Sequence, residues 1–367
     1  MAPIERSHAR AGLLRQISAP LYLPTVLTGA KSFADNPVIG SPLLNRWGLH
    51  TGRIRLARAM SELRRLPLTL RVSAEDRAAF RRDGFILKEN FLPQDHFERL
   101  NREVRTFKGP GWECHQGDTI THRILLDQET LSDLPATRAF IEHPTYRRLL
   151  AWSGARAGAP VFYIQRILNH LREGAPDPQR HLHTDTFHPT VKAWLFLDDV
   201  DERKGPFTYV PGSHRFTRQR LAAEYRRSLT ARHDPLRYSA RGSFRWSEQD
   251  LEELGLPAPK AFAVPRNTLV IADTSGIHCR GEASDPGVRL EIWAFSRISP
   301  FWPLSLPAVG PITRLRDRLV RSYLDHQDSK ARRRGKLPSW RRVDGERLAG
   351  LGDPKVSTGV ATSEREA

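Results

Sequence analysis

The first regular pattern in the chain lies between Arg53 and Arg65, where Ile54, Ala57, Met60 and Leu63 recur every three residues with arginines between them. This predicts an amphipathic helix with one apolar stripe. Its arginine side has two readings: a solvated face of a helix lying on the core, or a face that meets anionic lipid headgroups. Ser73-Ala74-Glu75-Asp76 supplies a capping hydroxyl and two first-turn acids, so a helix is expected from here to about Arg82, stopped by Gly84. Phe85-Ile86-Leu87 reads as a short strand, and Pro93 opens a second helix through Phe97, Leu100 and Val104.

Further on the period shifts towards that of strands. The runs 161–168, 191–200, 207–210, 268–273 and 288–297 are rich in β-branched and aromatic residues, and turn signals separate them: Gly205-Pro206, Pro211-Gly212, Asp285-Pro286-Gly287. Helices come early and strands late. The expected class is α+β with a mainly β core, an antiparallel sandwich or barrel. The stretches 105–130 and 213–260 read as loops that would contact a substrate. Three zones result: an N-terminal extension (1–70) with the basic helix, a body (71–300), and a basic C-terminal extension (301–367) with a helix from Ile312 to Asp325 and a tail of disordered composition.

Composition adds limits. The 367 residues carry 58 Lys+Arg against 41 Asp+Glu, a net charge of +17, and only nine of the cations are Lys. Such an excess suits an anionic partner or a solvated surface, so a nucleic-acid-directed oxygenase or binder stays in view as the alternative. However, the aromatics are not interleaved with the basic clusters, and no specific nucleic acid is expected. Two cysteines, Cys114 and Cys279, exclude a disulfide scaffold and a cysteine-only zinc site. The longest charge-free windows, Gln16 to Ala30 and Ile298 to Thr313, fall short of the roughly 20 apolar residues of a spanning helix. The expected location is the cytoplasm, with a peripheral contact to the inner face of an anionic membrane as the sharper version. Oligomeric state is not legible.

The candidate chemistry starts at His181-Leu182-His183-Thr184-Asp185. On a strand, residues two apart share a side, so an imidazole and the Asp185 carboxylate would be presented together, with His181 and His183 both eligible. A distant second element, the run 268–273 followed by a turn and His278, adds a histidine. Two histidines and one carboxylate form the facial triad that suits non-haem Fe(II), with open positions for a 2-oxo acid and O₂. Arg289, eleven residues after His278, has two uses: a guanidinium fork for the distal carboxylate of 2-oxoglutarate, or an ion pair with Glu291 on the same strand face. Tyr163, Gln165 and Ile167 alternate on one strand face, and if that face looks inward, Tyr163 and Gln165 reach cosubstrate or substrate. His188, three residues after Asp185, is a candidate for the substrate side. His214, in Pro211-Gly212-Ser213-His214, reads as part of a structural turn, and Cys279 as a small packing residue.

Four segments in order resemble the phytanoyl-CoA dioxygenase family of Fe(II)/2-oxoglutarate-dependent oxygenases: AAFRRDGFILKENFLPQDHFERL, LHTDTFHPTVKAWLFLDDV, GPFTYVPGSHRF and IHCRG with DPGVRLEIWAFS. The resemblance implies a double-stranded β-helix, a distorted jelly roll with packed helices. It selects His183 over His181 and implies iron ligands His183, Asp185 and His278. It also implies that Arg289 binds the cosubstrate and that Trp194 walls its pocket. The implied activity is hydroxylation of a C–H bond in a small-molecule or acyl/lipid-type substrate, with 2-oxoglutarate and O₂ consumed and succinate and CO₂ released. Halogenating relatives have a small residue where Asp185 stands, so hydroxylation is favoured.

Overall fold

The computed structural model describes residues 20–158, 160–169, 174–284, 287–296, 298–305, 310–335 and 338–350. Within them the helices are α1 (Pro42–Arg46), α2 (Leu49–Arg65), α3 (Ala74–Asp83), α4 (Gln94–Thr106), α5 (Pro135–Glu142), α6 (Pro144–Ser153), α7 (Arg218–Thr230), α8 (Arg237–Ala240), α9 (Glu248–Glu253), α10 (Gly310–Arg333) and α11 (Gly345–Gly350). The strands are β1 (Phe85–Lys88), β2 (Gly111–Gln116), β3 (Thr119–Leu125), β4 (Val161–Asn169), β5 (Val191–Phe196), β6 (Phe207–Tyr209), β7 (Lys260–Ala261), β8 (Leu269–Asp273), β9 (His278–Arg280), β10 (Gly287–Ser296) and β11 (Arg341–Val343). Helix α3 follows the local signals: Ser73 Oγ accepts from the Asp76 N–H, and Gly84 closes the helix at φ +90°.

Eight strands form one antiparallel sheet in the order β1-β8-β5-β10-β4-β3-β2-β11, and β7-β6-β9 form a second, smaller one. This is the mixed α+β jelly-roll architecture expected from the order of elements. Period-2 alternation divides the large sheet. Ile164, Leu195, Leu290, Ile292 and Ala294 face one way, into a core shared with Phe80, Phe97, Leu100, Phe140, Tyr146 and Trp152 of the helices. Tyr163, Trp194 and Trp293 face the other way, into an aromatic core shared with Phe207, Tyr209 and Phe262 of the small-sheet side. The functional cavity lies on this second face.

Three expectations need correction. The first is the stripe of α2. Ile54 and Ala57 are buried, but Leu63 is exposed, and the inward face carries Arg53, Arg64 and Arg65. Steps of three residues drift by about 60° per step around a 3.6-residue helix, so the run of four cannot stay on one face. The buried arginines bond to carbonyls. Arg53 donates to Val26, Thr28 and Ala30 at 2.7–2.9 Å and lies over the Phe187 ring; Arg64 donates to Ala155 at 2.8 Å; Arg65 donates to Ser153 at 2.9 Å. Much of the helix's charge therefore fastens the N-terminal segment to the body and is not on a solvated face.

The second correction is that 105–130 and 213–260 are not simply loops. They contain β2, β3, α7, α8 and α9. The third concerns the C-terminal zone. The segment after α10 adds β11 to the edge of the large sheet beside β2, and Leu348 is buried in the main core. Helix α10 runs longer than expected, to Arg333. The turn residues Asp285 and Pro286, and the tail from residue 351, lie outside the described residues. Among the described residues no helix is long and apolar enough to cross a membrane.

Candidate metal centre and cosubstrate pocket

His183 does not sit on a regular strand, as the His-x-Asp reading had it. Bridged on one side by Arg245, it forms an isolated antiparallel bridge on the other with His278 at the start of β9. The two residues exchange both backbone hydrogen bonds, 2.8 Å from the His183 N–H to the His278 carbonyl and 2.9 Å in return. Residues opposite each other in an antiparallel pair project to the same side, and the imidazole centroids are 4.5 Å apart. Asp185 follows in a bend, held by its N–H to the Thr274 carbonyl at 3.0 Å. Ligand atoms of His183, Asp185 and His278 all come within 4.8 Å of one another. His181 is exposed, and its role is to offer a carbonyl to His183.

The turn before His278 is seated by the Phe207–His214 segment. Tyr209 donates its hydroxyl to the Asp273 carbonyl at 2.8 Å, and Ser213 Oγ accepts from the Ile277 N–H at 2.7 Å. A Cβ at Gly276 would overlap the Tyr209 hydroxyl, and one at Gly84 would meet both that hydroxyl and His214. Backbone bonds Gly212 to Asp83 and Asp273 to Gly84, each 2.9 Å, close the arrangement. Sequence motifs more than a hundred residues apart thus form one support beneath the second histidine.

Protonation is prepared for a cation. Each histidine faces a backbone carbonyl with Nδ1, His183 to His181 at 2.8 Å and His278 to Gly276 at 3.0 Å. A carbonyl only accepts, so Nδ1 carries the hydrogen and Nε2 presents its lone pair. Burial holds the His183 imidazolium far below its usual range and His278 at about 4, so both rings are neutral at neutral pH. Burial alone would raise Asp185, but the charge and hydrogen bond of Lys192 oppose it, and the carboxyl is held below its usual range. Lys192 Nζ pairs with Asp185 Oδ2 at 2.6 Å, while Oδ1 lies 3.8 Å from His278 Nε2. The buried His278 Nε2 has no hydrogen-bond partner in the protein, which an incoming ion would supply. Two neutral imidazoles and one carboxylate fit Fe(II).

The centre opens on a cavity of about 230 Å³. Gln165, Trp194 and Arg289 of the expected pocket residues line it, with Trp194 stacked on Phe207 at 4.3 Å. Tyr163 shares Gln165's face but packs on Trp293 at 5.6 Å and is not part of the wall. His188 is also outside the cavity. It is buried, bonded to the Pro189 carbonyl at 3.1 Å and packed on Phe187. Both expected uses of Arg289 bear on what is seen. Its Nε pairs with Glu291 at 3.0 Å and Nη1 donates to the Gly205 carbonyl, while the residue also lines the cavity. Missed from sequence were Lys192, Arg123, Arg280 and, from the C-terminal zone, Trp340, all lining the cavity. The alternation of β5 places Lys192 on the Trp194 face, a signal that was available; nothing local marks the others.

The bond from Lys192 to the Asp185 carboxylate has a measurable consequence. Lys192→Met is expected to weaken Mn(II) binding by roughly ten- to a hundredfold, the usual cost of losing a group that orients a ligand. Anaerobic titration followed by electron paramagnetic resonance measures it, and unchanged affinity would show that the pair does no orienting.

A model of the phytanoyl-CoA dioxygenase family matches residues 80–250. Over this stretch the chain is similar to the phytanoyl-CoA dioxygenase family. The match takes in His183 and Asp185, and the bridge geometry adds His278 from beyond it. With the donor set, this makes the protein an oxygenase-type enzyme that uses iron and 2-oxoglutarate. No curated protein matches the chain. Similar solved structures include the epimerase SnoN from nogalamycin biosynthesis (16% identity, 60% of this chain and 80% of that one, TM-score 0.37). Two others are HygX from Streptomyces hygroscopicus with nickel and 2-oxoglutarate bound (17%, 61% and 86%, 0.38) and AviO1 from Streptomyces viridochromogenes Tue57 (18%, 64% and 97%, 0.35).

Proposed function

We propose that this chain is a phytanoyl-CoA dioxygenase-type enzyme that hydroxylates a C–H bond of a small-molecule or acyl/lipid-type substrate, with succinate and CO₂ released from 2-oxoglutarate. The observation that carries the reading is the convergence of His183, Asp185 and His278 at one cavity. When bound, iron with 2-oxoglutarate and O₂ supplies the oxidative decarboxylation and the oxygen transfer. The chain supplies the rest. His183 and His278 offer neutral Nε2 atoms, and Asp185 offers a carboxylate whose second oxygen Lys192 holds. That carboxylate supports oxygen transfer over halogenation, which needs a small residue here to admit halide. Arg289 has Nε and Nη1 already committed, so Nη2 is the atom it has for the distal carboxylate of 2-oxoglutarate. The stacked Trp194 and Phe207 exclude water from that side.

The test is a 2-oxoglutarate turnover screen, read as succinate, over acyl-CoAs, lipids, amino acids and small natural products. A product heavier by one oxygen atom supports hydroxylation. Succinate-coupled turnover whose product has gained no oxygen, but has lost two hydrogens or changed configuration, would overturn it.

A further inference from the structure

Four cationic side chains line the cavity, and three of them face a carboxylate. Lys192 pairs with Asp185 at 2.6 Å, Arg280 with Asp177 at 2.6 Å, and Arg289 with Glu291 at 3.0 Å. Arg123 is different. Strand register sets it beside Gln165, which in turn lies beside Glu291, across β3, β4 and β10. The resulting chain of bonds runs from Arg123 Nε to Gln165 Oε1 at 2.7 Å, and from Gln165 Nε2 to Glu291 Oε1 at 2.5 Å. The amide between them passes no charge to Arg123. The guanidinium therefore meets a neutral acceptor, and no ion pair to it forms among the described residues.

Aromatic rings fix its place. The guanidinium carbon lies 3.9 Å from the centroid of Trp293, 4.7 Å from Trp340 and 5.7 Å from Tyr163. Stacking restricts the guanidinium and lowers the entropy cost of a further bond. Burial draws its pKa down only to about 10, so it is charged at neutral pH. Trp340 comes from the strap that precedes β11. Arg341 anchors that strap by donating to Glu113 at 2.7 Å, and Arg166 donates to the Leu348 carbonyl farther along.

We propose that Arg123, held against Trp293 by Trp340, binds a carboxylate of the substrate, and that the C-terminal strap is thereby part of the substrate site. The proposal rests on the oxygenase reading and narrows it to acidic substrates. The same carboxylate chemistry is carried by 2-oxoglutarate itself, so the two sources have to be separated.

The experiment uses the full chain loaded with Mn(II), with and without saturating 2-oxoglutarate, and benzoate as the carboxylate probe. Tryptophan fluorescence is the readout, since Trp293 and Trp340 flank the guanidinium. Wild type should bind benzoate saturably while 2-oxoglutarate is bound. R123Q should weaken benzoate at least tenfold and leave 2-oxoglutarate affinity within about twofold; R123K, which keeps charge but loses the planar fork, should fall between. W340A should weaken benzoate and spare 2-oxoglutarate, and it carries the test if the Arg123 variants do not fold. Unchanged benzoate affinity in R123Q or W340A would overturn the proposal. So would a loss of 2-oxoglutarate affinity in R123Q, which would place Arg123 in the cosubstrate site. If Mn(II)-loaded wild type binds no 2-oxoglutarate, the oxygenase reading fails instead, and the benzoate titration without it still decides the role of Arg123.

Discussion

His278→Ala is expected to lose more than a hundredfold in 2-oxoglutarate-coupled succinate release, and His183→Ala the same. Each change removes one of three ligand atoms. The loss should therefore exceed the roughly ten- to hundredfold that follows removal of a group behind a ligand. The backbone bridge between the two residues uses only N–H and carbonyl groups, so alanine keeps it. Thermal unfolding of both variants should accordingly stay close to wild type, and the loss belongs to the metal site alone. Anaerobic Fe(II) titration with 2-oxoglutarate, followed by its visible absorption, gives a readout independent of turnover. A variant that folds and keeps turnover within tenfold would remove that histidine from the ligand set.

Arg220→Met is expected to destabilise the fold by about 3–5 kcal/mol, the cost of leaving one member of a buried ion pair alone. Arg220 and Glu224 on α7 are both about 2% exposed and pair at 3.0 Å. Glu224 also bonds His50 of α2 at 2.9 Å, and Arg220 donates to the Ser213 carbonyl at 3.0 Å. The network thus ties the N-terminal helix to the segment that seats His278. Burial by itself would raise the Glu224 carboxyl; the His50 bond and the Arg220 charge outweigh it and hold it below its ordinary value. A depressed folded pKa contributes stability above the unfolded value of about 4.3 and loses it as pH falls through the folded one. Without Arg220 the folded value rises, so acid unfolding should begin at higher pH. Chemical denaturation at pH 7 and at pH 5 measures both effects. The double variant Arg220→Met, Glu224→Leu should recover much of the loss, because no charge is then left unpaired. A single variant within 1 kcal/mol of wild type would show that the network is dispensable.

Some features were legible in the sequence because their causes are local. Ser73 and Gly84 bound α3 through side-chain capping and a left-handed backbone, neither of which needs a distant partner. The strands at 161–169 and 287–296 declared themselves by composition and alternation. The ligand types in His183, Asp185 and His278 were visible from their chemistry and spacing. Strands β2 and β3 were hidden, since Trp112, His115, Thr121 and Arg123 mix polar and apolar residues and their order comes from pairing of β2 with β3 and of β3 with β4. The arginines of α2 misled for a related reason. Residue type suggests solvent, but what decides burial is whether carbonyls wait at the other end, and those belong to residues 26–30 and 152–155.

The sequence by itself determined the class of fold, the helix boundaries with caps and the identity of the donor groups. Only the tertiary structure decided which groups meet. The bridge between residues 183 and 278 joins points 95 apart in the chain. The rank Arg123, Gln165, Glu291 is created by register across three strands, and a one-residue slip would turn each side chain to the other face. Trp340 reaches the cavity because a late segment completes the sheet edge. Capping and alternation act over a few residues, whereas ion pairing and cavity lining depend on separations in space that chain order does not encode.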